Sequence, residues 1–354
     1  MQFDILNYSE PDQYERWLKI WNDWRGREVF AHPEYGNLFC EEHSTFMAIY
    51  LMTPSGGILF PMIKRPIDSE EWSRSPEPVY DVISPYGYGG PFIWGDGAEY
   101  ADIFWKLYES WCKENSIITT FARLSLFSYQ IATPAYGVSS PYSNIVRSLT
   151  EPESEILSDY KHAVRKSIKK AIRSNLQIII DDKGNFLDDF MRIYYLTMNR
   201  VAANNGYFFS ESFFKTIINK LNGSFVFLHV LSDDEVISSE LVLVSDDNIY
   251  SFLGGTNPDF NHMSPNNFLK HEIVKWGQSH GKSNFVLGGG YTKDDGIFKY
   301  KQAMAPNGEL SFKTFKSIHC KDQYEQLILD RRNWEVDNNI QWVADNSFFP
   351  CYRS

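Results

Sequence analysis

Between Val286 and Lys301 the chain reads VLGGGYTKDDGIFKYK, the densest gathering of reactive residue types in the sequence. Gly288, Gly289 and Gly290 follow an apolar strand expected over Ser283–Leu287. Glycine is used where backbone must turn sharply or come close to a ligand. After the glycines stand Tyr291, the pair Asp294 and Asp295, and two lysines, Lys299 and Lys301, on a short helical run. Backbone N–H donors, a ring face, carboxylates and ammonium groups thus meet at the carboxyl end of a strand, where open α/β folds bind ligands. That set could hold an anionic or polar group and stabilise negative charge developing on it; the competing reading is a tight turn into an ordinary amphipathic helix.

Other residues add to this set. SPYGYGGPF (Ser84 to Phe92) alternates Tyr86, Gly87, Tyr88 and Gly89 between two prolines, and such a loop can offer N–H groups and ring faces, or serve as a rigid turn. A second glycine pair, in Leu253, Gly254, Gly255 and Thr256, ends another strand and leads to a helix start at Ser264 (N-cap) and Pro265 (N1). The free N–H groups there, around Asn266 and Asn267, form an anion site in principle. Lys161, Arg165, Lys169 and Arg173 recur every fourth residue on one helix, a stripe suited to phosphates or simply a solvated face. Glu240 interrupts the apolar strand Val236–Val244 and must face a cleft, a partner or solvent. In a cleft its pKa would rise, which suits proton acceptance from an amine. No P-loop, dinucleotide fingerprint, HExxH or GxSxG occurs, and the eight histidines show no ligand spacing, so no metal is expected.

The elements that must position these residues follow from periodicity and turn signals. A first region carries a helix near Pro11–Trp24, a hairpin of Thr45–Met52 and Ile58–Lys64, a strand Val79–Ile83, a helix Ala98–Glu114 and a strand Ile117–Phe127, then a loop over Tyr129–Ser143. A second has a helix Glu153–Asn175, a strand Leu176–Asp181, two helices near Phe186–Asn204 and Ser210–Leu221, strands Phe225–Leu231, Glu235–Val244 and Ile249–Leu253, a helix Asn266–His280, the strand before Gly288, and a late strand Leu310–Lys316. Strand, glycine pair, helix with a late tryptophan, strand: the two regions repeat one arrangement, as tandem copies of one α/β unit would. The boundaries expected are 1–150, 151–325 and a helical tail 326–354 docking on the body. At 354 residues, two domains are the default. A net charge of −11 disfavours nucleic acid as a general partner. The four cysteines are widely spaced, which gives no disulfide framework. No signal peptide or membrane span is legible, which fits a soluble, cytoplasmic protein.

With these residues assembled, the chain resembles the FemAB-like, tandem-GNAT acyltransferases. The matches are SPYGYGGP, YKHAVRKSIKKAIRSN, YYLTMNRVAANNGYFF (containing Arg200), YSFLGGTNPDF, PNNFLKHEIVKWGQSHG and FVLGGGYTKDDGIFKYKQAM, in family order over about residues 80–320. The resemblance implies an α/β fold of two GNAT-like domains, each a mixed, mainly antiparallel sheet flanked by helices, with a cleft between them. It implies transfer of an acyl or aminoacyl group to an amine. Members that build cell-wall precursors take amino acids from aminoacyl-tRNA, while relatives associated with polysaccharide synthesis use acyl-CoA. The acidity and the missing coiled-coil hairpin disfavour tRNA; the usual pyrophosphate loop, (Q/R)xxGx(G/A), is absent, which leaves the donor open. On this basis acyl-CoA, most simply acetyl-CoA, is the expected donor and a sugar, nucleotide-linked sugar or peptide amine of the cell envelope the expected acceptor. The candidate catalytic residues are Lys301, Glu240 and Asp295. Leu253, Gly254, Gly255, Thr256, Asn266, Asn267, Gly288, Gly289 and Gly290 are candidates for the donor, and Tyr86, Gly87, Tyr88, Gly89, Arg165, Lys169, Arg200 and Tyr291 for the acceptor. The reading from another class is a non-catalytic glycan or nucleotide-sugar binder.

Overall fold

The computed structural model describes residues 1–354 apart from Tyr291, Lys293, Asp294 and Asn346, and the backbone alone of Pro141. Tyr291, a candidate acceptor residue, therefore lies outside the described residues. The chain divides into two compact units, Met1–Arg25 with Phe30–Pro141 and Phe312–Ser354, and Gly26–Val29 with Tyr142–Ser311.

The first unit begins with β1 (Gln2–Asn7), α1 (Pro11–Asp23), α2 (Pro33–Asn37), β2 (Thr45–Met52) and β3 (Gly57–Pro66). It continues with β4 (Tyr80–Ile83), β5 (Phe92–Trp94), α3 (Ala101–Glu114) and β6 (Ile117–Arg123). β1, β2, β3 and β4 pair in sequence and antiparallel, whereas β4 and β6 are parallel, because α3 carries the chain back across the sheet between them. The middle strands read as unbroken apolar runs, buried on both faces. Phe60 sits among the rings of Phe104, Trp105 and Tyr108, so the high aromatic content here is core.

β7 (Val138–Ser148) then leads into the second unit, which holds α4 (Glu153–Asp159), α5 (His162–Arg173), β8 (Gln177–Asp181), α6 (Leu187–Arg200) and α7 (Glu211–Lys220). There follow β9 (Phe225–Ser232), β10 (Glu235–Val244), β11 (Asn248–Thr256), α8 (Pro265–Ser279), β12 (Asn284–Gly288) and α9 (Gly296–Gln302). β8, β9, β10 and β11 are again successive antiparallel neighbours, β11 and β12 are parallel across α8, and β12 takes β7 as an antiparallel neighbour. β13 (Glu309–Ile318) returns to the first unit against β6, followed by α10 (Lys321–Asp337). Both units thus share one topology, the repeat expected from the sequence.

The units differ from a contiguous division because each sheet is completed by a distant strand, β7 in the second and β13 in the first. Gly26–Val29 also belong to the second unit, where the Glu28 carboxylate accepts hydrogen bonds from Asn248 Nδ2 and the Tyr250 hydroxyl, both at 2.7 Å. The helix expected over 153–175 is broken at Tyr160 and Lys161, whose ψ values of 144° and 147° are extended. β1 was not legible, and β7 occupies part of the expected loop.

Candidate functional site

In the second unit the parallel pair is short. β11 and β12 share register only over Asn248–Tyr250 and Asn284–Val286, while β11 runs on to Thr256 with β10 as its neighbour. Into this opening α8 delivers Lys270. It lies on the same face as the buried Ile273 and Val274, three and four residues on, so the packing that seats those residues also buries the lysine. Its ammonium donates to Glu240 Oε1 at 2.5 Å and to Ser251 Oγ at 2.7 Å, and stands 5.6 Å from the centre of the Phe285 ring on β12. The side chains of Lys270 and Glu240 are 8% and 5% exposed, so two charges have left water as a pair.

Past the end of β12 a helix cap fixes a second lysine. Asp295 Oδ1 accepts from the Phe298 N–H at 2.7 Å and Oδ2 from the Thr292 N–H at 3.1 Å, which starts α9. One turn on, Lys301 Nζ donates to the Gly289 carbonyl at 2.7 Å. Burial pulls the Lys301 ammonium down to about 8, Lys270 pulls the same way, and Glu240 and Asp295 oppose them. Among the described residues, the buried Tyr300 hydroxyl has no hydrogen-bond partner. Burial raises its pKa, with Glu240 and Tyr160 adding to the effect.

Residues 158–302 match the acetyltransferase (GNAT) domain family. The chain is similar in structure to a FemX, at 12% identity over 89% of this chain and 98% of that one, with a TM-score of 0.67. It is also similar to the C-terminal domain of a putative lysylphosphatidylglycerol synthetase from Agrobacterium fabrum, at 12% identity over 90% and 96% of the chains, with a TM-score of 0.55. A conserved protein of unknown function from Bacteroides thetaiotaomicron is 8% identical over 90% and 99%, with a TM-score of 0.54. No curated protein matches the chain by sequence. The chain has the FemAB-like, tandem-GNAT fold. The match to the acetyltransferase (GNAT) domain family falls in its second unit, and the opened β11–β12 pair with Lys270, Tyr300 and Lys301 lies within the matched residues.

The residues expected to act in this GNAT domain are placed unevenly. Lys301 is partly buried and hydrogen-bonded, whereas Lys299 on the same helix is exposed. Glu240 is bonded to Lys270, and Asp295 caps α9. Leu253, Gly254 and Gly255 pair with Leu241, Glu240 and Ser239. A Cβ on Gly255 would lie 2.2 Å from Thr197 Oγ1 and 2.7 Å from the Ile193 carbonyl, so packing of α6 alone demands glycine there. The Thr256 N–H donates to Thr197 Oγ1 at 3.2 Å. Ser264, expected to cap α8 with its side chain, is left-handed (φ 63°, ψ 43°) and makes no such bond. Asn266 and Asn267 form the first turn behind it, and Asn267 Oδ1 is buried without a partner. Gly288 has φ of 84° and pairs with Ile145; Gly289 and Gly290 follow it.

The Arg165 guanidinium donates through Nη1 to the carbonyls of Ser158 and Tyr160 and so holds the corner between α4 and α5. Lys169 on α5 and Arg200 at the end of α6 are exposed. In the first unit Tyr86, 40% exposed, lines a cavity of about 170 Å³ with Phe39, Glu41, Arg65 and Arg123. Gly87 has φ of 101°, and a Cβ there would meet the Phe30 ring at 2.5 Å. The Tyr88 ring packs on Phe30 and Phe312, and burial raises its pKa. Gly89 donates to the Arg123 carbonyl at 3.0 Å. Among the described residues no group of His, Cys, Asp and Glu could hold a metal ion, and no helix is long and apolar enough to cross a membrane. Lys270 and Tyr300 were not singled out beforehand. A lysine on the apolar stripe of α8 was the available signal for the first; nothing in the sequence marked the second.

Proposed function

We propose that this protein is an N-acyltransferase that moves an acyl group, most simply acetyl, from acyl-CoA to an amine on a sugar or cell-envelope precursor in the cytoplasm. The observation that carries this reading is Lys301: a largely desolvated ammonium held on the Gly289 carbonyl, at the end of the opened parallel pair of a GNAT domain. A thioester donor fits the chain's own groups, because the buried Tyr300 hydroxyl has no partner among the described residues. When bound, acyl-CoA supplies an activated carbonyl carbon and a thiolate leaving group. Lys301 then keeps a positive charge at Nζ where negative charge develops on the carbonyl oxygen, an effect of roughly 2.7–4 kcal/mol per well-placed donor. Tyr300 holds a proton at its hydroxyl for the leaving thiolate, and the proton that the acylated amine loses restores it. Lys270, Glu240 and Asp295 orient these two side chains. Lys169, Arg200, Asn266 and Asn267 are the proposed polar contacts of the second unit.

Thermal-shift screening with acetyl-CoA, CoA and UDP-sugars tests the reading, followed by acyl-transfer assays on amino-sugars with Lys301→Ala. Stabilisation by the coenzymes and a folded, inactive Lys301→Ala variant are expected. Stabilisation by sugars alone makes the protein a binder, and an active Lys301→Ala variant removes the assigned role.

A further inference from the structure

Two lysines of the second unit have Glu240 within their electrostatic reach, and only one is bonded to it. Lys270, from α8, spends its ammonium on Glu240 and on Ser251, the first β11 residue beyond the register shared with β12. Lys301, from α9, is left with a neutral carbonyl as its hydrogen-bond partner. The charged groups acting on Lys301 are Glu240 from β10, Lys270 from α8 and Asp295 from the turn before α9, with Lys299 on its own helix exposed. Asp295 holds the α9 cap, and among the described residues Glu240 is the carboxylate from another element that acts on Lys301. A buried ion pair is weak evidence for stability, since well-packed apolar residues often do as well, so its presence here calls for another reason.

We propose that Lys270 is a positioning residue whose task is to hold Glu240 away from Lys301, so that the Lys301 charge stays uncompensated for the acyl group. The proposal rests on the acyl-transfer reading. Without Lys270 the bare Glu240 carboxylate draws the Lys301 ammonium off the Gly289 carbonyl and pairs with it. Buried opposite charges attract strongly, so that rearrangement is favoured. Removing both charges leaves Lys301 as it was.

The test measures the ionisation of Lys301 directly, by pH-dependent competitive acetylation with acetic anhydride and mass spectrometry of its peptide, in wild type, Lys270→Met, Glu240→Gln and the double variant. Turnover is measured on the same samples. In Lys270→Met the Lys301 pKa should rise by at least about one unit, with roughly fivefold lower labelling at pH 8 and a loss of kcat. In Glu240→Gln it should fall. In the double variant, which buries no unpaired charge, it should return towards the wild-type value and kcat should recover relative to Lys270→Met. A Lys301 pKa that is the same in Lys270→Met as in wild type, or a double variant no better than the single one, overturns the proposal. Should Lys270→Met not fold, a double variant whose Lys301 titrates more than one unit from wild type overturns it. Labelling shifts in a protein without acyl transfer would sink the functional reading and leave the positioning of Lys301 standing.

Discussion

Lys301→Met should change how the stability of the protein depends on pH, by an amount that follows from the environment of this one lysine. Its ammonium is pulled from the ordinary 10.5 to about 8, chiefly by burial. A lysine whose folded pKa lies below its unfolded one disfavours its own charged form in the fold. The penalty is therefore complete below pH 8 and is relieved as pH rises from 8 to 10.5. Over that window the unfolded chain binds more protons than the folded one, and stability rises by about 1.4 kcal/mol per pH unit. Between pH 7 and 9.5 the gain comes to about 2 kcal/mol. Lys301→Met has no such term. Other groups that titrate in the same range contribute equally to both proteins and cancel in the difference. Urea unfolding of both proteins at pH 7 and 9.5 gives four free energies, with equal slopes as the check that the compared states are the same. Wild type should gain about 2 kcal/mol more than the variant across the interval. Parallel pH dependences, or a larger gain in the variant, would refute a desolvated Lys301. At pH 7 the variant also loses the bond to the Gly289 carbonyl, so its absolute stability there is the less informative number.

Two further outcomes follow from the packing. His319 has its pKa lowered by burial, opposed by Glu109, and its Nδ1 lies 2.8 Å from a Glu109 carboxylate oxygen; the neutral ring is favoured in the fold, so stability present above pH 6.5 is lost as pH falls below it. His319→Gln should flatten the loss of stability between pH 7.5 and 5.5 in urea titrations, and slopes equal to wild type would contradict the sign. Gly255→Ala should lower stability by about 1–3 kcal/mol, and Thr197→Ala should not restore it, because the Ile193 carbonyl also occupies the space; an unchanged melting temperature would show that α6 gives way.

The large elements were legible because periodicity and turn residues act locally, and the duplicated order followed from them. Strand exchange was not legible: whether β7 and β13 close their own unit or the other depends on which sheet edge is open, a property of the assembled fold. Of the site, Lys301 and Glu240 stood out as charges next to apolar runs. Glu240 in an apolar strand and Lys270 on the apolar stripe of α8 are two problems with one solution, since each buried charge needs the other. The sequence shows both residues but not their proximity, because they stand on separate elements 30 positions apart. Tyr300 was illegible for a different reason: its distinction is the partner its hydroxyl lacks among the described residues.

The two units, alike in topology, part company at the same place. In the first, the parallel pair is extended beyond its register. The Ser84 N–H donates to the Phe121 carbonyl, Gly89 donates to Arg123, Ser125 donates to Gly89, and Ser84 Oγ accepts from the Arg123 N–H. The loop SPYGYGGP thereby stitches the two strands together, and its glycines let the backbone come close enough to do so. In the second, the shared register stops at Tyr250 and Val286, and the hydroxyl of the next β11 residue, Ser251, accepts from a buried lysine that also holds Glu240. Past the last shared rung the two units therefore differ in what they hold. The first has hydrogen bonds that hold a loop, and the second has charges that fold stability alone does not explain. This contrast, within one chain and one topology, is the reason to seek the acyl-transfer chemistry in the second unit.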